Sequence, residues 1–381
     1  MKGILLITIL LLIGGGWLLL SNNAGNKLPL SSKPTAQTPP LSQTKTKNDN
    51  PQTTVIASNL DTPWAIAFLP DKSMLVTERP GRVRFIDANG TLDSSPAGTI
   101  SKVKEIGEGG LLGISIHPDF EKNHYVYLYY TYSGNGSNTL NRVARMTYTD
   151  KKLSDEKIIV DQIPGSSNHN GGRIKFGPDK YLYITTGDAE NPSQAQDKNT
   201  LGGKILRVTD AGDAAPGNPF GNLTYSYGHR NPQGLAWDST GTLWETEHGP
   251  SGGQFGVAHD EVNKVELGKN YGWPVIIGDA KKAGMETPFL HSGTSTWAPA
   301  GTTIADNTLF FGGLRGQALY YLDLSPTQGQ IQSTFDGELG RIREVILGPD
   351  DMLYITTSNN DGRGNPNDDD DKVIRVNPQK L

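Results

Sequence analysis

The residues best suited to chemistry stand where no structural rule asks for them. In NHNGGRIKFGPDKYLYITTGD, residues 168–188, the second half reads as strand, GPD turn and strand, while His169 sits ahead of it on a bare Asn- and Gly-rich loop. An imidazole there is free to act as a base near neutral pH, and Gly171 and Gly172 would let backbone come close to a ligand. Asp188 closes the strand pair that His169 opens, so an up-and-back pair brings the two together. A carboxylate beside the ring would fix its tautomer and raise its basicity. The same two residues would also serve as a turn cap and a turn start, and the local pattern does not choose between these roles.

Cationic and oxygen-rich loops accompany the histidine. Arg230, Arg315, Arg341 and Arg343 lie on GHRNPQG (228–234), LRG (314–316) and GRIRE (340–344). Guanidinium forks suit planar polyanionic ligands, although an isolated surface Arg is usually paired locally. Arg341 and Arg343 are two apart, which in a strand puts them on one face. Gly249 and Pro250 in TEHGP (246–250) could offer carbonyls, and Glu247 or Glu261 a carboxylate, to a hard cation such as Ca²⁺. The acidic run at 368–371 cannot turn four adjacent carboxylates toward one ion and reads as a solvated loop. The seven His show no zinc-type spacing, cysteine is absent, and no G-x-S-x-G elbow, P-loop or strand-linked G-x-G-x-x-G occurs.

These loops need a scaffold, and the chain supplies a repeat. A β-rich run, a P-D or D-x-x-G turn and a second β-rich run recur with the turn aspartate at Asp71, Asp119, Asp179, Asp238 and Asp350. Successive intervals are 48, 60, 59 and 112 residues, and a degenerate copy at 307–324 falls inside the last. Six units result, each long enough for four strands and one generous loop. The expected fold is therefore all-β, a six-bladed β-propeller of four-stranded antiparallel blades over residues 55–381, whose closure gathers loops around one channel mouth. A two-sheet sandwich also accommodates short strands, but the repeated PD-x-x-L-Y-I-T-T favours the propeller.

Residues 4–20 form an apolar run behind the single cation Lys2, the layout of a secretory signal or an uncleaved signal anchor. The lack of a clean A-x-A site favours the anchor, and either way the rest is expected outside the cytoplasm, periplasmic or extracellular, with a membrane tether if the segment is kept. Residues 21–54, rich in Ser, Thr, Pro and Gln, read as a flexible linker. The chain carries 35 Lys and Arg against 40 Asp and Glu; with five Lys and one Asp in residues 1–54, the remainder has a net charge of −9, which argues against a nucleic-acid partner.

Taken in order, GLLGISIHPDF, NHNGGRIKFGPD, ITTGD, GHRNPQGLAW, TEHGP, DEVNKVELGKNYGWP, LRG and GRIRE make residues 55–378 resemble the soluble glucose dehydrogenases and aldose sugar dehydrogenases that depend on pyrroloquinoline quinone (PQQ). The resemblance implies a six-bladed propeller with PQQ and Ca²⁺ at the channel mouth. It also implies oxidation of the C1 hydroxyl of aldoses to lactones, with hydride passing to PQQ C5 and electrons to an external quinone, cytochrome or dye. In that likeness His169 is the catalytic base, Asp188 its carboxylate partner, and Arg230 and Asn231 hydrogen-bond the quinone oxygens. Arg315, Arg341 and Arg343 hold the PQQ carboxylates, Gly249 and Pro250 the catalytic calcium, and Glu261 with Tyr271 part of a second calcium site. Glu108 joins the cofactor positions, standing where the glucose enzymes have Gln, as Arg315 stands for Lys; both resemble the aldose branch, so glucose preference does not transfer. Asn168 also departs, replacing an Asp. A non-catalytic propeller that binds a glycan or protein is the competing class, and a calcium-dependent lactonase would need carboxylates where these loops are cationic.

Overall fold

A computed structural model describes residues 51–136, 138–250, 255–325 and 330–381. The expected signal or anchor, and the expected linker up to residue 50, lie outside the described residues. No helix among the described residues is long and apolar enough to cross a membrane.

Among the described residues twenty-four strands pair into six four-stranded antiparallel sheets, so the expected propeller is present. Five blades run in chain order, the first opening with β2 (Pro63–Phe68) and the fifth ending with β21 (Gln332–Thr334). The sixth joins β22 (Ile342–Leu347), β23 (Leu353–Thr357) and β24 (Val373–Val376) to the first strand of the chain, β1 (Thr53–Ala57). Pairing of Thr53 with Val376 and of Val55 with Ile374 thus closes the ring with the N-terminal strand. Strands paired on both sides, such as β11 (Leu182–Thr186), are buried at every residue, and the core lies between successive blades.

In two of the repeats the turn aspartate does the same physical job. Asp179 Oδ1 accepts from Tyr181 N (3.2 Å), and its Oδ2 accepts from the Tyr183 hydroxyl (3.0 Å) and Arg207 Nε (2.8 Å). Asp350 repeats the set with Met352, Tyr354 and Arg375. One carboxylate therefore closes the turn and ties it to the third strand of its blade. The fifth blade lacks this aspartate because it turns differently. β18 (Pro299–Ala305) and β19 (Thr308–Gly313) are joined by Asp306 and Asn307 alone, with φ of 43° and 62°, as a two-residue hairpin turn requires. The segment 307–324 is therefore not a copy of the strand-turn-strand unit but β19 and β20 (Ala318–Asp323), and the unit begins at Pro299.

Candidate active site

Strand direction alternates within a blade, so the link into its innermost strand and the link between its second and third strands leave from the same end. That rule sends the loops of Glu108, His169, Arg230 and Arg341, which enter inner strands, to one face. Those of Asp188, Gly249, Arg315 and Arg363, which join second to third strands, go there too.

His169 and Asp188 meet there. Nδ1 of His169 lies 2.7 Å from Asp188 Oδ1, and Asp188 is fully buried. A carboxylate can only accept, so in the neutral ring the proton sits on Nδ1 and Nε2 keeps its lone pair. Asp188 is itself fixed, accepting from Glu190 N at Oδ1 (2.9 Å) and from Trp273 Nε1 at Oδ2 (2.8 Å). His169 adopts φ 58°, a left-handed conformation uncommon for a side-chain-bearing residue. The neighbouring glycines explain how the loop fits, and they correct the expectation that they make room for a ligand. A Cβ on Gly171 would lie 2.6 Å from the Thr185 carbonyl, and one on Gly187 1.8 Å from that of His169. Those glycines let the His169 loop and the end of β11 pack on each other.

A cavity of about 740 Å³ opens beside the dyad, lined by Glu108, His248, Gly249, Pro250, Asp260, Arg315, Arg341 and Arg363. His169 is joined to it through Glu108, whose Oε2 accepts from His169 N (3.2 Å) and Asn231 Nδ2 (3.3 Å). Asn231 Oδ1 in turn accepts from Gly171 N (3.0 Å). Arg341 is buried and donates to Asp361 Oδ2 (2.8 Å) and the Leu314 carbonyl (3.1 Å). Arg343 donates to Gln233, yet its buried Nε meets no acceptor among the described residues. Burial, with the charge of Arg341, pulls Arg343 down to about 9. Arg230 is also lowered by burial; its backbone N–H goes to Glu247 and Nη1 to the His248 carbonyl (3.2 Å). Arg315 is exposed at the cavity edge. With Arg341 and Arg315 on its wall, the cavity fits a planar polyanion, which guanidinium groups hold well.

The oxygen ligands divide differently from the sequence expectation. The carboxylate beside Gly249 is Asp260, which accepts from Gly249 N (2.8 Å), Trp297 N (2.6 Å) and Ala298 N (2.8 Å), and burial pushes it up. Glu247 and Glu261 instead join Glu245 in a separate buried group around Asn263 Nδ2, at 3.3, 3.1 and 3.1 Å. His229, Glu245 and Glu247 bring ligand atoms within 4.8 Å of one another. Burial and the charge of Glu247 drive Glu245 and Glu261 well above the usual carboxylate range, and Glu245 Oε1 and Asn263 Oδ1 are buried with no partner among the described residues. A hard cation would satisfy such a group. Tyr271 packs against this group. Its hydroxyl donates to the Lys264 carbonyl (2.7 Å) and accepts from Glu266 N (2.8 Å), while its ring stacks on His229.

Three contributors escaped the sequence. His248 has a buried Nε2 that meets no partner among the described residues, and burial lowers it to about 3, so it is neutral. Asp260 stood unremarked beside Glu261. Arg363 reaches Glu108 Oε1 (2.7 Å) and Asn168 Oδ1 (2.8 Å) from a loop that the acidic run had marked as solvated. In that run Asp370 and Asp371 are in fact buried.

The model of the Glucose / Sorbosone dehydrogenase family matches residues 60–365. The chain is 33% identical over 345 residues to aldose sugar dehydrogenase YliI of Escherichia coli K12, covering 81% of this chain and 90% of that one. Against quinoprotein glucose dehydrogenase B of Acinetobacter calcoaceticus it is 35% identical over 271 residues, 61% of this chain and 54% of that one. The structure of the PQQ-bound form of aldose sugar dehydrogenase from Streptomyces coelicolor superposes with a TM-score of 0.78 at 38% identity, covering 85% of this chain and 98% of that one. With the propeller, the dyad and a family match over most of its length, this chain belongs to the glucose/sorbosone dehydrogenase family.

Proposed function

We propose that this protein is a PQQ- and calcium-dependent dehydrogenase that oxidises the C1 hydroxyl of aldose sugars to the lactone. The observation that carries it is the His169–Asp188 pair beside an arginine-bearing cavity. His169 Nε2 takes the hydroxyl proton, and Asp188 holds the Nδ1 proton and steadies the imidazolium that forms. Bound PQQ would supply the acceptor for the hydride that leaves C1. Arg341, Arg343 and Arg315 would hold its carboxylates, and Arg230 and Asn231 its quinone oxygens. Gly249 and Pro250, with Asp260 behind them, would hold a catalytic Ca²⁺, and Glu261 with Glu245 and Glu247 a structural one. Electrons leave to an external quinone, cytochrome or dye. The enzyme works outside the cytoplasm, in the periplasm or beyond, and a retained N-terminal segment would tether it to the membrane.

Dye reduction by the purified protein with Ca²⁺ and a panel of aldoses, before and after PQQ is added, tests this. Activity that appears only with PQQ is the expected result. Neither activity nor PQQ binding would overturn it and leave a propeller that recognises a glycan or protein.

A further inference from the structure

We infer that Arg363 is a positioning residue for sugar oxidation, a strut from blade six that holds Glu108 and the His169 loop in working geometry; this rests on the function proposed above. The two ends of the strut are 255 residues apart in the chain. Nη1 donates to Glu108 Oε1 at 2.7 Å and Nη2 to Asn168 Oδ1 at 2.8 Å, so one planar fork spans two loops. The far oxygen of Glu108 accepts from the backbone N–H of His169, and Asn168 is the next residue back. Displacing the fork therefore frees both residues that fix where the base begins.

Electrostatics points the same way. Burial alone would push Glu108 up, but the neighbouring His248 and the hydrogen bond and charge of Arg363 outweigh it and bring it down to about 2. Arg363 is the cation whose side chain hydrogen-bonds the Glu108 carboxylate, at 2.7 Å. The loop that carries Arg363 is built to hold still. Asp371 accepts from Asn359 N (2.5 Å) and Asn360 N (3.2 Å), Asp370 from Asn367 N (2.9 Å), and Asn359 Oδ1 from Arg341 N (2.8 Å). Asp361 accepts from Arg363 N (2.9 Å) and also pairs with Arg341. One loop thus presents the partner of a cofactor arginine and the strut of the base.

The test is a cycle of Arg363→Ala, Glu108→Gln and the double variant in the PQQ- and Ca²⁺-loaded protein, with Arg363→Lys beside it. We expect Arg363→Ala to lower kcat on the order of 10- to 100-fold, as misplacing a reacting group does, with little change in KM and PQQ affinity unchanged. In the Glu108→Gln background the same change should cost under about threefold, the mark of coupled residues. Lys, a point charge without a fork, should restore only part of the loss. Amide exchange at His169 should quicken at least about tenfold in Arg363→Ala, since its N–H donates to Glu108. Equal costs in both backgrounds, or unchanged kcat and exchange, overturn the inference. If the loaded wild type oxidises no aldose, the function fails instead, and the exchange measurement alone decides the strut.

Discussion

At the scale of single residues the site depends on who donates to whom. The Asp188 carboxylate accepts in each of its contacts, from His169, Glu190 and Trp273. Asn at this position must turn an amide NH₂ toward one of those donors. If it faces His169, the ring proton moves to Nε2 and the base is lost. Asp188→Asn should therefore lower kcat by about 10²–10⁴, and His169→Gln by as much, while both still bind PQQ by absorbance. Turnover within tenfold of wild type in His169→Gln would remove it as the base. His169 and Asp188 were readable in the sequence because a short hairpin, β10 (Ile174–Phe176) to β11, links them. Arg363 was not, since its partner lies on another blade, and Asp260 was hidden because burial, which a sequence does not display, makes it an anchor rather than a solvated acid.

At the scale of elements, the repeated aspartate fixed the blades that carry it, and a turn of different chemistry blurred the fifth. What the repeat could not reveal is how the ring closes, because β1 has no turn aspartate and pairs with a strand more than 300 residues away. Without β1 the edge of β24 would present unpaired N–H and C=O groups to solvent. The strand contributes a few ladder hydrogen bonds, each of about 1 kcal/mol net, and the half-buried Ile56 and buried Ala57. A chain starting at Leu60 should thus lose on the order of 3–5 kcal/mol and melt about 5–10 °C lower, with a greater tendency to associate. Calorimetry and light scattering against the full chain check this; an unchanged melting temperature would show that closure does not depend on β1.

At the scale of the whole molecule the site concentrates charge that the fold alone leaves poorly compensated. Arg343 is buried and held at about 9, and the three carboxylates of Glu245, Glu247 and Glu261 crowd one amide. Each group is costly to bury unless an opposite charge completes it, so ligands of opposite sign should stabilise the fold by mass action. PQQ at 100 times its Kd should add about 2.7 kcal/mol, which for a domain of this size raises the melting temperature by about 5 °C. Ca²⁺ should give a separate, saturable increment in the PQQ-free protein, because the carboxylate group is distinct from the arginine cavity. Glu261→Gln should remove most of the calcium increment and leave the PQQ increment intact, whereas Arg341→Ala with Arg343→Ala should do the reverse. Melting scans of the three proteins with EDTA, Ca²⁺ and PQQ in turn separate the two. A wild type whose melting EDTA does not alter would exclude the buried carboxylates as a cation site, and a double variant with the full PQQ increment would remove these arginines from its binding.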